Sequence, residues 1–112
     1  SINMLNNISI SSEKVNNGVW RQLLKSKFLV ASVNSEKFKQ AILDHGSKEL
    51  SDRDLVSIMA KTILLDWRDV KDPDGNDLPY SEQMAIIALS TSDAVRSFVD
   101  NVSTNIGFYC EQ

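Results

Sequence analysis

Five aspartates stand between positions 66 and 77: Asp66, Asp69, Asp72, Asp74 and Asp77. Carboxylates at that density could hold a hard cation, or move protons if two were buried together. The spacing does not fit a calcium loop. With Gly75 set on that loop's glycine, Val70 takes the first ligand position and Ser81 the last, where acids are required. Asp72-Pro73-Asp74-Gly75 is instead a turn sequence. Pro73 presets φ, and Gly75 suits the fourth place of a type I turn. The carboxylates around it are expected in solvent.

The rest of the chain is poor in chemistry. His45 is the one histidine and Cys110 the one cysteine. Alone they do not make a zinc site, and a single cysteine excludes a disulfide framework within one chain. Nothing basic near Cys110 in sequence favours its thiolate. No glycine-bracketed serine or phosphate-cradling glycine loop is present. The expectation is a protein that is not an enzyme and takes no cofactor and no metal.

At 112 residues, 42% hydrophobic and 24% charged, the chain reads as one globular domain with a modest core. Its net charge of −3 divides unevenly, with +2 over residues 1–56 and −5 over residues 57–112. An acidic loop repels phosphate, so nucleic acid is not the expected partner. The basic residues from Lys14 to Lys39 keep a small regulatory nucleic-acid binder open as a minor rival. No apolar run approaches the roughly 18–20 residues of a membrane span, and the N-terminus lacks a signal-peptide layout. A soluble, intracellular protein without membrane contact is expected.

The elements that must position these residues follow from period and punctuation. Residues 1–17 read as a flexible arm, with a short strand at Met4 to Ile10. Val19 to Leu24 and Phe28 to Val33 read as a β-hairpin turning at Lys25-Ser26-Lys27. A first helix starts at Asn34 or Ser35, puts Phe38, Ala41 and Ile42 on one face, and stops at Gly46. A second starts at Ser51, shows Leu55, Ile58, Met59, Thr62 and Ile63 on one face, and ends in Leu64, Leu65 and Trp67. A third starts at Ser81 and is apolar from Met84 to Leu89. A fourth starts at Ser92 or Asp93, carries a stripe through Val95, Phe98, Val99, Val102 and Ile106, and stops at Gly107. Residues 108–112 read as a tail. The predicted fold is α+β, mainly α. A short N-terminal hairpin packs on about four helices, and a long acidic loop joins helices two and three within one domain over residues 18–107.

Helices this apolar face either a core or a partner. Exposed, Leu64, Leu65, Trp67, Met84, Ile87 and the fourth-helix stripe would make a patch large enough to mark a binding site. Met59 and Met84 would suit a surface that grips varied apolar segments.

One sequence pattern is more specific. Asp66-Trp67 at a helix end, Asp74-Gly75 in the loop and Leu78-Pro79-Tyr80-Ser81 opening the next helix resemble the tail assembly chaperones of long-tailed bacteriophages. Gly18-Val19-Trp20, Lys27-Phe28-Leu29-Val30-Ala31 and the Phe38 to Leu43 helix fit more loosely. The resemblance covers roughly residues 18–102. It implies a chaperone that binds and solubilises the tape measure protein and helps recruit tail tube protein. Leu64, Leu65, Trp67, Tyr80, Met84 and Ile87 would form the groove. It also implies a homo-oligomer, host cytoplasm as the location and absence from the mature virion. The alternative is a structural tail or neck subunit retained in the virion.

Overall fold

The computed structural model describes residues 9–111. The expected strand at Met4 to Ile10 lies largely outside them. Over the described residues the order is α1 (Ser12–Asn17), β1 (Val19–Leu23), β2 (Ser26–Val30), α2 (Glu36–His45), α3 (Asp52–Thr62), β3 (Leu64–Arg68), α4 (Glu82–Thr91) and α5 (Asp93–Thr104), followed by a 3-10 turn at Ile106–Tyr109. The fold is α+β and mainly helical, with a three-stranded antiparallel sheet ordered β1-β2-β3.

The helix starts obey the serines. Ser11, Ser35, Ser51, Ser81 and Ser92 each accept a hydrogen bond from a backbone N–H of the first turn of α1 to α5 in order. Each such cap contributes about 1 kcal/mol. Gly18 stands between α1 and β1 at φ +90°, and a Cβ there would meet the Leu29 side chain at 3.1 Å. Only glycine satisfies both the left-handed backbone and the close approach.

Sequence and structure part most clearly at Leu64–Arg68. The expected continuation of the second helix is instead strand β3. Helix α3 ends at Thr62, and β3 pairs Lys27 with Arg68, Phe28 with Trp67, Leu29 with Asp66 and Val30 with Leu64. A register shift at Leu29/Val30 leaves Leu65 as the extra residue. That bulge is why Leu64 and Trp67, three apart, both point into the core. A spacing of three is also the signature of one helix face, so periodicity alone reads the segment as helix.

The hairpin turn shifts too. It is Leu24-Lys25, since Leu23 pairs with Ser26. Ser26 is already in β2, and its Oγ donates to the Asp69 carbonyl at 2.8 Å.

Phe28 and Val30 of the sheet's inner face meet Val56, Met59, Ala60 and Ile63 of α3, Ala85 and Leu89 of α4, and Val99 and Val102 of α5. Phe28 stacks edge-on to Trp67 with ring centroids 6.2 Å apart, and the Trp67 and Tyr80 rings lie 5.2 Å apart at 83°. Burying a tryptophan removes roughly 200 Å² from water, worth roughly 5 kcal/mol as an upper bound. That favours the interior for Trp67.

Both ends of the described stretch belong to the folded unit. The expected arm contains α1, with Val15 buried, and the expected tail contains Tyr109, which is 1% exposed. The Tyr109 hydroxyl donates to the Val30 carbonyl at 3.0 Å. Ser11 N–H donates to the Tyr109 carbonyl, Ile10 bridges Cys110, and Lys14 Nζ donates to the Cys110 carbonyl. Short segments at either end have too little local pattern to show this mutual cover. The Lys14 to Cys110 contact joins residues 96 positions apart.

Candidate functional site

Acidic side chains fill the segment from Asp69 to Asp77, yet its backbone is ordered by hydrogen bonds. Leu78 N–H donates to the Val70 carbonyl, Lys71 bridges Asp77, and Asp72 N–H donates to the Asn76 carbonyl. The tip closes on Pro73-Asp74-Gly75, with Gly75 at φ +85°. The Asp72 carboxylate accepts from Asp74 and Asn76 N–H, both at 2.9 Å. Asp69, at φ +58°, turns the chain out of β3 into this finger. Lys71 and Asp77 form an ion pair that holds the lysine's pKa above its usual value, first through their hydrogen bond. Among the described residues, no three of His, Cys, Asp or Glu are grouped to hold a metal ion.

His45 and Cys110 sit apart in the architecture. His45 ends α2 and its Nε2 lies 3.2 Å from the Glu49 carbonyl. Cys110 follows the 3-10 turn, with Sγ 3.4 Å from the Ile106 carbonyl.

The six residues expected to form a groove are divided by depth. Leu64 is fully buried and Trp67 is 5% exposed, so both are core. Leu65, Tyr80 and Met84 are half-buried, and Ile87 is 45% exposed. Trp67 Nε1 donates to the Leu78 carbonyl at 2.7 Å, and the Tyr80 hydroxyl donates to the Leu64 carbonyl at 2.7 Å. These bonds fasten the base of the finger to β3. Burial raises the Tyr80 phenol's pKa, with smaller contributions from Glu82 and Asp66. Of the six, Leu64 and Trp67 belong to the core and Tyr80 and Met84 pack against it, while Ile87 is exposed.

The open apolar space lies elsewhere. Helix α2 has no fully buried residue, although Phe38 packs against the core. Between α2, α3 and α5 is a trough of about 230 Å³ floored by Val33, Phe38, Leu55, Met59 and Ile63. Asp100, Asn101, Ser103 and Thr104 form its polar rim. Small-molecule sites usually run from about 300 Å³ upward, so this volume suits an apolar side chain better. Phe38, Leu55, Met59 and Ile63 were each legible as core stripes. That the stripes fail to close over one another was not. A wider space of about 460 Å³ lies between α1, residues 32–39 and the C-terminal turn, with mixed polar walls including Asn16, Glu36 and Lys39.

The sheet's outer face is a second open surface. By register it presents Trp20, Gln22, Lys27, Leu29, Asp66 and Arg68. The Arg68 guanidinium lies 4.2 Å from the centre of the Trp20 ring. On the opposite face Arg21 covers Phe108 at 4.1 Å.

Among the described residues no helix is long and apolar enough to cross a membrane. The folded elements thus present two protein surfaces, an apolar trough and a basic sheet face. Residues 14–112 match the family model described as YdaY prophage protein, and the chain belongs to that family. It is thereby a protein of phage or prophage origin. No curated protein and no solved structure matches it.

Proposed function

We propose that this prophage protein is a tail assembly chaperone, non-enzymatic and free of cofactors. It holds apolar helical segments of the tape measure protein soluble in the host cytoplasm. Tail tube subunits then displace it, so it is absent from the finished tail. The family's prophage origin and the resemblance carried by Asp66-Trp67, Asp74-Gly75 and Leu78-Pro79-Tyr80-Ser81 support this reading.

The observation that carries it is the trough beneath α2, an apolar floor with a polar rim and room for a side chain. An amphipathic helix seats its anchors in a groove of this kind. Ile87 and Met84 on α4 supply a second, shallower contact. Trp67 and Leu64 act indirectly, by holding β3 in place.

Co-expression with the tape measure protein of the same prophage tests the reading. A soluble complex with several copies per partner is expected. Phe38→Asp, shown to be folded by circular dichroism, should lose the complex. Leu43→Asp, outside the trough, should keep it. An insoluble partner beside a folded wild-type protein sinks the reading. Recovery of the protein from purified particles would favour a structural tail or neck subunit instead.

A further inference from the structure

The outer sheet face and the acidic finger emerge at the same end of the molecule. Lys27 pairs with Arg68 across the last rung of β2 and β3, and Ser26 Oγ holds the carbonyl of Asp69, the finger's first residue. The turn Leu24-Lys25 lies one step further along the hairpin. Three cations, Lys25, Lys27 and Arg68, therefore stand beside a finger with four aspartates, Asp69, Asp72, Asp74 and Asp77, and one lysine.

These opposite charges do not satisfy one another within the chain. Among the described residues, the ion pairs are Lys71–Asp77, Arg96–Asp52 and Arg96–Asp100, and Lys25, Lys27 and Arg68 take part in none of them. The face has one acid, Asp66, whose carboxylate accepts from Trp67 N–H. The finger cannot bend back freely, because its turn is locked by Asp72 and its base by the Trp67 and Leu78 bond.

Apolar groups accompany the cations. Trp20 is 37% exposed and lies under Arg68. Leu24 is 87% exposed at φ +54°, a conformation that costs a leucine strain and that glycine or asparagine would take more readily. Both β1 and β3 are edge strands of the sheet among the described residues.

We propose that two copies of this chain dock reciprocally. The acidic finger of each lies on the basic hairpin tip and outer sheet face of the other, with Leu24 and Trp20 in the contact. A two-fold axis makes one finger-to-face contact into two identical ones. A second copy is the occupant because the surface and its complement are present at one end of one molecule, and although Asp77 is paired with Lys71, Asp69, Asp72 and Asp74 take part in no ion pair among the described residues. This inference stands apart from the chaperone reading, since it concerns the isolated chain.

The test is light scattering and sedimentation of the purified full chain. A dimer is expected at low salt. It should weaken about tenfold or more at about 0.5 M salt, where screening falls below about 5 Å. Two charge-reversed variants then decide the surface. Lys25→Glu with Lys27→Glu reverses the face. Asp74→Lys with Asp77→Lys reverses the finger and leaves Asp72's turn bonds intact. Each alone should be monomeric, and an equimolar mixture should form a heterodimer, which also shows that both are folded. A wild-type monomer at tens of micromolar in low salt overturns the proposal. So does a dimer indifferent to salt and to both reversals, or a pair of monomeric variants that fail to associate on mixing. Binding of single-stranded nucleic acid by the same cations, without dimerisation, would also overturn it.

Discussion

Tyr109 shows how much one side chain can decide. It is 1% exposed, and its hydroxyl reaches across 79 positions to the Val30 carbonyl in the central strand. Tyr109→Phe keeps the ring and leaves that carbonyl without this donor, so a loss of about 1 kcal/mol is expected, read as a lower denaturant midpoint. The same residue gives a pH dependence. Burial pushes the phenol's pKa well above its usual value of 10.0. The folded state therefore holds its proton at a pH where the unfolded chain releases it. Stability from this group is complete below about pH 10 and is lost as pH rises beyond it. Denaturation curves at neutral and strongly alkaline pH should show a smaller alkaline loss for Tyr109→Phe than for wild type. Equal losses would mean that the ring is not buried in solution.

At the scale of elements, the hairpin and finger are the informative parts. Leu24 occupies the left-handed region at a turn and exposes 87% of its surface. Leu24→Gly should relieve about 1 kcal/mol of backbone strain and raise the melting temperature by several degrees. Most substitutions destabilise, so a gain here would be diagnostic. Measured beside dimer affinity, the same variant separates strain from contact, because it should fold more stably and associate less. The helices were legible from their caps, since Ser35, Ser51, Ser81 and Ser92 stand where the expected starts were placed. Strand β3 was not. Its bulge gives Leu64 and Trp67 a helix-like spacing, and pairing with β2 is a non-local choice that a local pattern does not encode.

Considered as a whole molecule, the chain closes on itself. Helix α1 and the 3-10 turn cover the end of the sheet, with Ser32 N–H donating to the Val15 carbonyl and the Tyr109 hydroxyl to the Val30 carbonyl. Removing residues 107–112 should therefore unfold or strongly destabilise the domain. A disposable tail would leave its melting temperature unchanged. Calorimetry of the truncated chain makes that distinction, with a drop well beyond the roughly 4–8 °C expected for 1 kcal/mol in a domain of this size. The charge asymmetry also acts at this scale. Its two signs meet at one end of the molecule, beside the hairpin tip and the finger.

By itself the sequence determined the local vocabulary: the capped helices, the hairpin, the Pro-Asp-Gly turn and the apolar stripes. Those features rest on propensity and period, which act over a few residues. It also carried the link to phage proteins. Tertiary structure decided which apolar residues are interior. Leu64 and Trp67 went to the core because β3 joined the sheet, while Val33, Phe38 and Leu55 along the α2 trough stayed half-exposed above the buried Met59 and Ile63. It also turned the acidic loop into a hydrogen-bonded finger and placed it beside unpaired cations. Both outcomes depend on contacts between segments far apart in the chain, whose closure entropy is met only when the whole core forms.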